Sequence, residues 1–327
     1  MNKQIKEIKE YLDRYIEGQE DAKRCAAVLV YNKLRGVKEN ICFVGPSGCG
    51  KTEIFRVLSR KFPRLIYIHT ASGHTTQGFK GNKKFNSCFN DMAAQGWTYE
   101  EMENSIVVMD EFDKVVEPTG SSEGNISREF QREFLTMVEG ANIRINMDPN
   151  VRDDDAQTIF NTSNVSFVFC GAFDDIFRER KKKSSIQMGF KSEKEDLMNK
   201  EVTIEDLIKF GMRNELAGRI SMVATLYRLN RDQVRNLLKD PYRSPVSKLA
   251  IQYKCNIRVS REFFEELIDF SQTSDTGVRD LTGKVQREID RELYEEGSSG
   301  KITVMELTKP KEQYFSLENI SDTDYMR

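Results

Sequence analysis

Apolar residues recur at two spacings along the chain, and each spacing predicts a different element. The opening stretch places Ile5, Ile8, Leu12 and Tyr15 at helical intervals, and a second, more apolar helix is expected at residues 21–34. Short runs without polar alternation lie at residues 41–44, 65–69, 105–109 and 165–170, with a fifth at 222–226. Runs of this kind are typical of strands buried on both faces. The pattern therefore predicts an α/β fold with a parallel sheet covered by helices.

The pattern changes after residue 228, where charged amphipathic helices follow one another. Their apolar faces hold Phe263, Phe264, Leu267, Phe270, Val285, Ile289 and Leu293. We therefore expect a large α/β domain at residues 1–228 and a small, mainly helical domain at residues 229–327. A helix before this boundary is marked by Thr203 as N-cap, Asp206 at the capping-box position and Gly211 as its end. Loops are expected at residues 118–125 and 147–156.

Composition narrows the classes of partner. The chain has 327 residues and a formal net charge of −2, so its overall charge gives no case for binding nucleic acid or an anionic membrane. Its six cysteines are far apart, form no metal-binding spacing and fall partly inside apolar runs. No apolar run approaches the length of about 18 residues that a membrane span needs. Together with a charged N-terminus, these features predict a cytoplasmic protein with reduced thiols.

A glycine-rich segment, GPSGCGKT, follows the first predicted strand and precedes an apolar helical pattern. Its residues are Gly45, Pro46, Ser47, Gly48, Cys49, Gly50, Lys51 and Thr52. The glycines allow backbone N–H groups to converge on phosphate oxygens at a helix N-terminus, the lysine adds a positive charge, and the Thr52 hydroxyl can hold Mg²⁺. An ordinary glycine-rich turn is the alternative, which the spacing and the flanking elements disfavour. The segment predicts a phosphate-binding P-loop for ATP and Mg²⁺.

An acidic pair ends the third predicted strand, in SIVVMDEFDKV. Asp110 and Glu111 come at the carboxyl end of this strand, where ligands bind in open α/β sheets. We expect Asp110 to hold Mg²⁺ through water and Glu111 to polarise the attacking water. An exposed turn after a strand is the alternative interpretation of this acidic pair. The position after a complete P-loop favours the Walker B interpretation.

These segments resemble, in order, those of the AAA+ ATPases, specifically the ClpX-type protein unfoldases, with HslU as a more distant relative. The matching segments are YIEGQEDAKRCAAVLVYNKL, GPSGCGKT, VVMDEFDKV, IEDLIKFG followed by MRNELAGRI, and TGVRDL. The resemblance runs from about residue 10 to residue 305 and covers both predicted domains. It implies a P-loop AAA+ large domain followed by a helical lid domain. It also implies a homo-hexameric ring that uses ATP to unfold polypeptide substrates and thread them through a central pore.

The resemblance also assigns roles to residues outside the two motifs. Tyr15 and Ile16 would pack against adenine, and Arg219 would be an arginine finger that reaches the nucleotide of a neighbouring subunit. Arg279 would be a second arginine, which contacts the nucleotide bound to its own subunit. A guanidinium can stabilise the charge that spreads over a γ-phosphoryl group. On sequence alone, a surface salt-bridge partner is the more ordinary interpretation of either arginine, and the resemblance favours the catalytic one.

The stretch GFKG takes the place of the first pore loop of the family. Phe79 would grip the translocating polypeptide, because an apolar ring packs against most side chains, and Gly78 and Gly81 would be its hinges. A phenylalanine folded back onto the core is the alternative. Lys80 stands where the family carries a small apolar residue, which would add positive charge to the pore.

Other positions depart from the family pattern. Glu17 replaces an apolar residue that contacts adenine, and acidic residues at 150–157 occupy the neighbourhood of the basic pore-entrance motif. No cysteine cluster precedes Cys25, so we expect the N-terminal zinc-binding domain of many relatives to be missing. Met188, Gly189 and Phe190 resemble the tripeptide by which such rings dock into a barrel peptidase, with Met in place of the first residue of the family. A ClpP-like peptidase is therefore a candidate partner.

Two alternatives to a threading motor stay open. One is a stand-alone ATPase that separates protein complexes and meets no peptidase. The other is an ATP-dependent switch or scaffold that assembles on nucleic acid and threads nothing, for which Lys80 and residues 181–183 would matter. The basic run at residues 178–185 has no interleaved aromatic residues for base stacking, so a solvated flank is the more ordinary interpretation.

Overall fold

The structure is a computed structural model that describes residues 2–71, 87–117, 123–147, 157–186, 200–294, 300–306 and 315–317. The chain divides into two compact units, each made of several segments. The first unit contains Met1–Leu12, Gln19–Pro46 and Gly50–Tyr227. The second contains Asp13–Gly18, Ser47–Cys49 and Arg228–Arg327.

The first unit is built on a parallel sheet with a separate hairpin. Its strands are β1 (Ile41–Val44), β2 (Ile66–Thr70), β3 (Ile106–Asp110), β4 (Asn142–Asn146), β5 (Gln157–Asn161), β6 (Ser166–Gly171) and β7 (Met222–Thr225). Five of them form the main sheet in the order β2-β3-β6-β1-β7, with every neighbouring pair parallel. The other two, β4 and β5, pair with each other in antiparallel orientation. Strand β6 therefore separates β1, which leads into the glycine-rich segment, from β3, which ends at the acidic pair.

Helices accompany this sheet along the whole first unit. They are α1 (Lys3–Asp13), α2 (Glu20–Leu34), α3 (Lys51–Lys61), α4 (Ser87–Ala94), α5 (Tyr99–Glu103), α6 (Asp113–Val116), α7 (Glu123–Glu139), α8 (Asp174–Ile186), α9 (Ile204–Phe210) and α10 (Asn214–Ala217). All residues of β1 and β6 are buried, as continuous apolar runs predict for strands covered on both faces. Aromatic rings fill the space around these strands, with Phe112 against Phe169 and Phe43 against Phe55 at centroid distances of 4.6 and 4.9 Å. The predicted α/β fold class is confirmed.

The second unit is mainly helical. Its elements are α11 (Arg231–Lys239), α12 (Pro245–Tyr253), β8 (Cys255–Val259), α13 (Arg261–Thr273), α14 (Arg279–Tyr294), β9 (Ile302–Glu306) and β10 (Phe315–Leu317). The predicted apolar faces form its core, where Phe263, Leu267, Val285 and Ile289 are all buried. The three strands form a sheet in the order β10-β8-β9, which the sequence interpretation did not include. Residues of β8 alternate between buried and more exposed positions, so they give no continuous apolar run.

The elements differ from the sequence predictions in three further places. Helix α1 ends at Asp13, so Tyr15 lies outside it. The hairpin of β4 and β5 was not predicted, because its residues are largely polar and give no continuous apolar run. Helix α7 begins at Glu123, inside the loop expected at residues 118–125. The capping box of Thr203 and Asp206 before α9 is confirmed, with each side chain bonded to the backbone N–H of the other residue.

Within the ranges that the structure describes, no helix is both long enough and apolar enough to cross a membrane.

Candidate functional site

The glycine-rich segment joins the end of β1 to the start of α3. Gly48 and Gly50 have φ angles of 77° and 98°, in the left-handed region that favours glycine. Lys51 is the first residue of α3, an 11-residue helix. The N-terminus of a helix has N–H groups without intrahelical partners and a partial positive charge. The segment is therefore shaped and charged to bind phosphate oxygens.

The side chain of Lys51 lies against the glycine-rich segment. Lys51 is buried, and its Nζ donates hydrogen bonds to the carbonyl oxygens of Gly45 and Pro46 at 2.5 and 3.0 Å. Thr52 follows in the first turn of α3 and is half-buried. A buried ammonium beside convergent N–H groups is a donor set that fits a polyphosphate. The hydroxyl of Thr52 is a hard oxygen ligand of the kind that Mg²⁺ prefers.

The acidic pair at the end of β3 has an unusual backbone. Asp110 is half-buried as the last residue of the strand, and its Oδ1 accepts a hydrogen bond from the Glu111 N–H at 3.0 Å. Glu111 is exposed and has a φ of 57°, in a region that residues with a Cβ rarely adopt. Such a conformation costs about 1–2 kcal/mol, and strain of this kind concentrates at functional sites. It turns the Glu111 side chain away from the direction that continuing the strand would give.

A third carboxylate, Asp113, lies one helical turn further on and was not singled out from the sequence. It is the first residue of α6 and is only 4% exposed. Burial raises the pKa of the Asp113 carboxyl, while Lys114, the Ala172 N–H and Lys51 act in the opposite direction. The spacing of Asp110 and Asp113 in DEFD could have drawn attention to it, but its burial could not be read from the sequence.

The end of β6 contacts both the glycine-rich segment and the residue that follows the acidic pair. The Gly171 carbonyl accepts from the Gly45 N–H at 3.3 Å, and the Cys170 carbonyl accepts from the Phe112 N–H at 2.8 Å. A Cβ added to Gly171 would lie 2.9 Å from the Cβ of Asp113 and 2.5 Å from the Phe173 ring. Glycine at this position therefore permits the close approach of α6. The sequence interpretation gave this strand end no role, since it shows no motif of its own.

The Arg219 side chain is engaged elsewhere in the first unit. Its guanidinium pairs with Glu139, the last residue of α7, at 2.5 Å between Arg219 Nη2 and Glu139 Oε1. Both side chains are partly exposed, at 54% and 43%. Among the described residues, the hydrogen bonds of this guanidinium go to Glu139 and not to the glycine-rich segment. Its role as a finger acting on a neighbour stays a prediction.

Several predicted nucleotide contacts belong to the second unit. Ile16 is buried and Tyr15 is 39% exposed in the segment Asp13–Gly18. Arg279 begins α14, and a Cβ added to Gly48 would lie 3.4 Å from the Cβ of Arg279 and 1.9 Å from the Thr276 carbonyl oxygen. Only glycine fits at position 48 in this arrangement.

The departing residue Glu17 also belongs to this unit. Its carboxylate pairs with Arg243, with Glu17 Oε2 and Arg243 Nη1 2.9 Å apart and both side chains largely buried, at 17% and 15% exposed. Arg243 also pairs with Asp240 at 2.7 Å. The acidic residue thus has an internal partner.

Two predicted sites lie outside the described residues. These are the pore-loop residues Gly78, Phe79, Lys80 and Gly81 and the docking tripeptide Met188, Gly189 and Phe190.

Comparison with known proteins identifies the family. A model of the AAA domain, Cdc48 subfamily, matches residues 37–223, which is more than half of the chain. A relative from Wolinella succinogenes, the ATP-dependent Clp protease ATP-binding subunit ClpX 2, is 27% identical over 322 residues, covering 93% of this chain and 80% of the relative. The ATP-dependent Clp protease ATP-binding subunit ClpX of Borrelia duttonii is 27% identical over 330 residues, covering 93% of this chain and 77% of the relative. The glycine-rich segment lies inside the range that the family model matches, and the parallel sheet agrees with that match: the chain belongs to the AAA domain family and is an ATPase of the ClpX type.

Proposed function

We propose that this chain is an ATP-dependent protein unfoldase that assembles into a homo-hexameric ring and threads polypeptide through its pore. The observation that carries the proposal is the arrangement around the end of β6. Its backbone bonds to the glycine-rich segment on one side and to the segment after Asp110 on the other. A phosphate-binding loop and an acidic pair at one edge of a parallel sheet suit ATP hydrolysis.

Each residue of this edge has a chemical role in the proposal. The N–H groups of residues 45–50 and the Lys51 ammonium bind the phosphates, and the Glu111 carboxylate orients the attacking water. Thr52 and Asp110 would hold Mg²⁺, which when bound neutralises charge on the phosphate oxygens. Among the described residues no group of three or more His, Cys, Asp and Glu side chains is placed to bind a metal.

The remaining proposed residues couple hydrolysis to movement. Tyr15 and Ile16 pack against adenine, Arg279 contacts the nucleotide of its own subunit, and Arg219 completes the site of a neighbour. A guanidinium is suited to both arginine roles because it can bind phosphate oxygens with two parallel hydrogen bonds. Phe79, between Gly78 and Gly81, would then pull on the polypeptide as the subunits move.

Partnership with a peptidase is a further part of the proposal. The relatives from Wolinella succinogenes and Borrelia duttonii are named as subunits of a Clp protease. We propose that a ClpP-like barrel peptidase receives the threaded chain and that Met188, Gly189 and Phe190 contact it.

The test is ATP-dependent unfolding of a stable fluorescent protein that carries each of a panel of terminal tags. The unmutated chain is compared with Phe79→Ala, and ATP turnover is recorded in the same samples. We expect the unmutated chain to unfold at least one tagged substrate, and Phe79→Ala to stop unfolding while ATP turnover persists. Phe79→Tyr is the matched control, since it keeps an aromatic ring and should retain unfolding.

Other outcomes would identify a different activity. ATP turnover without unfolding of any tagged substrate, and no effect of Phe79→Ala, would refute threading. Lys80→Ala and binding to single-stranded DNA at several salt concentrations would then test the nucleic-acid switch, for which a steep salt dependence is expected. Phe190→Ala separates the two protein-remodelling cases, because it should abolish degradation by an added peptidase only if docking occurs.

A further inference from the structure

The backbone around Arg219 is fixed to the central sheet through one buried asparagine. Asn40, which precedes β1, is 8% exposed, and its Nδ2 donates to the Arg219 carbonyl at 3.2 Å. Its Oδ1 accepts from the Phe167 N–H on β6 at 3.0 Å, and its backbone carbonyl accepts from the Ser221 N–H at 2.8 Å. The backbone at Arg219 is therefore held at the amino ends of β1 and β6.

The side chain of Arg219 is held along one edge of its guanidinium. Nε and Nη2 both donate to Glu139 Oε1, at 3.0 and 2.5 Å. A guanidinium has five N–H donors, and this side-on contact uses two of them. Within the described part of the chain, Nη1 makes no hydrogen bond. The end-on pair, one N–H on Nη1 and the second N–H on Nη2, can bind a phosphate with two parallel bonds and is not used by the contact with Glu139.

Glu139 is itself firmly placed at the end of α7. The preceding carbonyl, of Val138, accepts from Lys38 Nζ at 2.7 Å. Gly140 follows with a φ of 106°, and a Cβ there would lie 2.6 Å from Ser163 Oγ. The helix end is thus packed tightly on the turn before β6, so the backbone that carries the Glu139 side chain is fixed.

We propose that Glu139 is a positioning residue for Arg219, holding the guanidinium side-on so that its end-on amino groups face the nucleotide of a neighbouring subunit. The inference rests on the proposed function, in which Arg219 acts on that nucleotide. Glu139 does not touch the nucleotide. It removes rotational freedom from a long side chain before the chemical step, which lowers the entropic cost of forming the phosphate contact.

A second exposed pair gives a matched control. Arg213 Nε and Nη2 donate to the two carboxylate oxygens of Glu215 at 3.3 and 3.1 Å. This pair is also partly exposed, at 34% and 56%, and lies only a few residues from Arg219. Exposed ion pairs contribute little to stability, so neither Glu139→Ala nor Glu215→Ala should change the thermal unfolding midpoint appreciably.

The first experiment measures steady-state ATP turnover of the unmutated chain and of four variants. Arg219→Ala sets the full effect of losing the finger. We expect Glu139→Ala to lower kcat about tenfold with little change in KM, because the guanidinium still exists but is rarely in position. Glu139→Gln keeps an oxygen acceptor without the charge, so its kcat should lie between those of Glu139→Ala and the unmutated chain. Glu215→Ala should match the unmutated chain.

Mixed rings then test whether Glu139 acts across the subunit boundary. Glu139→Ala chains are mixed before assembly with Glu111→Gln chains, which keep Arg219 and Glu139 but lack the proposed water-orienting carboxylate. The active site of a Glu139→Ala chain then receives Arg219, held by Glu139, from the neighbouring Glu111→Gln chain. We therefore expect turnover per Glu139→Ala chain to rise on mixing, as it should for Arg219→Ala chains mixed in the same way.

Each contrary result has a separate meaning. No change of kcat in Glu139→Ala, an increase of kcat, or a failure to recover when Arg219→Ala recovers would each overturn the positioning role. If Arg219→Ala keeps full turnover, or does not recover in mixed rings, Arg219 is not an arginine finger and the role of Glu139 falls with it. The assignment of the chain as an ATPase would still stand. An unmutated chain that hydrolyses no ATP would instead refute the proposed function.

Discussion

The proposed phosphate-binding edge, formed by residues 45–52, 110 and 111, and the surface around Arg219 are held in place by different means. At the edge, backbone conformation does most of the placing: Gly50 and Glu111 both have positive φ angles, and Lys51 is buried against carbonyl oxygens. Around Arg219, an exposed ion pair with Glu139 orients the functional group. The first region tolerates few residue types, whereas the second depends on one side-chain contact.

This difference decides how each region should respond to mutation. Removing a side chain from the edge would delete a proposed direct contact to ATP. Removing the partner of Arg219 leaves the guanidinium in place but less well oriented. We therefore expect losses of two orders of magnitude or more at the edge, and smaller, graded losses around Arg219.

Lys51→Ala gives the largest expected effect. Loss of the ammonium removes a charge from the γ-phosphate contact, and ATP turnover should fall at least about a hundredfold. Turnover and binding of a fluorescent ATP analogue would be measured together. The control is Lys209→Ala, which removes an exposed lysine of α9 and should leave both unchanged. A Lys51→Ala chain that retains tight binding and turnover would contradict the assigned loop.

The same contrast explains which parts of the site could be predicted. Backbone-placed groups need particular residues at fixed spacing, so GPSGCGKT and DE were visible in the sequence. Glu139 lies 80 positions from Arg219, and no local pattern records their contact. The burial of Asp113 likewise depends on the approach of α6 to Gly171. A single sequence does not show such tertiary contacts.

The fold divides along similar lines. Strands such as β1 and β6 were predicted because both of their faces are buried and their apolar runs are continuous. The strand β8 was missed because it packs one face inward, and the hairpin of β4 and β5 because its residues are largely polar. These five-residue strands lack the continuous apolar run from which the strands of the main sheet were predicted.

Glu111 separates the chemical from the conformational contribution at the edge. Glu111→Gln should lower ATP turnover about a hundredfold while retaining nucleotide binding, because the amide cannot polarise water as a carboxylate does. Glu111→Gly should lose turnover to the same extent, but it should also stabilise the fold. Relief of the positive φ, about 1–2 kcal/mol, outweighs the added freedom of an unfolded glycine, about 0.5–1 kcal/mol.

Urea unfolding of both variants without nucleotide measures this balance. We expect Glu111→Gly to be more stable than Glu111→Gln by about 0.5–1 kcal/mol. Equal stability would mean that the left-handed conformation carries no strain. Retained turnover in both variants would remove Glu111 from the chemistry.

Asp113 gives the smallest expected effect, on stability rather than activity. Burial raises the pKa of its carboxyl in the folded state above the value of 3.8. The folded chain then binds more protons than the unfolded chain between those two pKa values, so this group lowers stability as pH rises through that window. At neutral pH the full cost of the buried charge is present. Asp113→Asn removes the charge and keeps an oxygen that can accept from the Ala172 N–H.

The free energy of unfolding of Asp113→Asn should therefore gain on that of the unmutated chain as pH rises from 3.8 towards neutrality. Lys114→Gln is the opposing variant. The Lys114 ammonium lies 3.9 Å from Asp113 Oδ2 and lowers the Asp113 pKa. Without it, the stability of Lys114→Gln should fall more steeply with rising pH than the stability of the unmutated chain. A difference between Asp113→Asn and the unmutated chain that is constant with pH would show that the folded carboxyl titrates as it does when unfolded. In that case the close packing of Gly171 on Asp113, and not the buried charge, would determine how this residue affects stability.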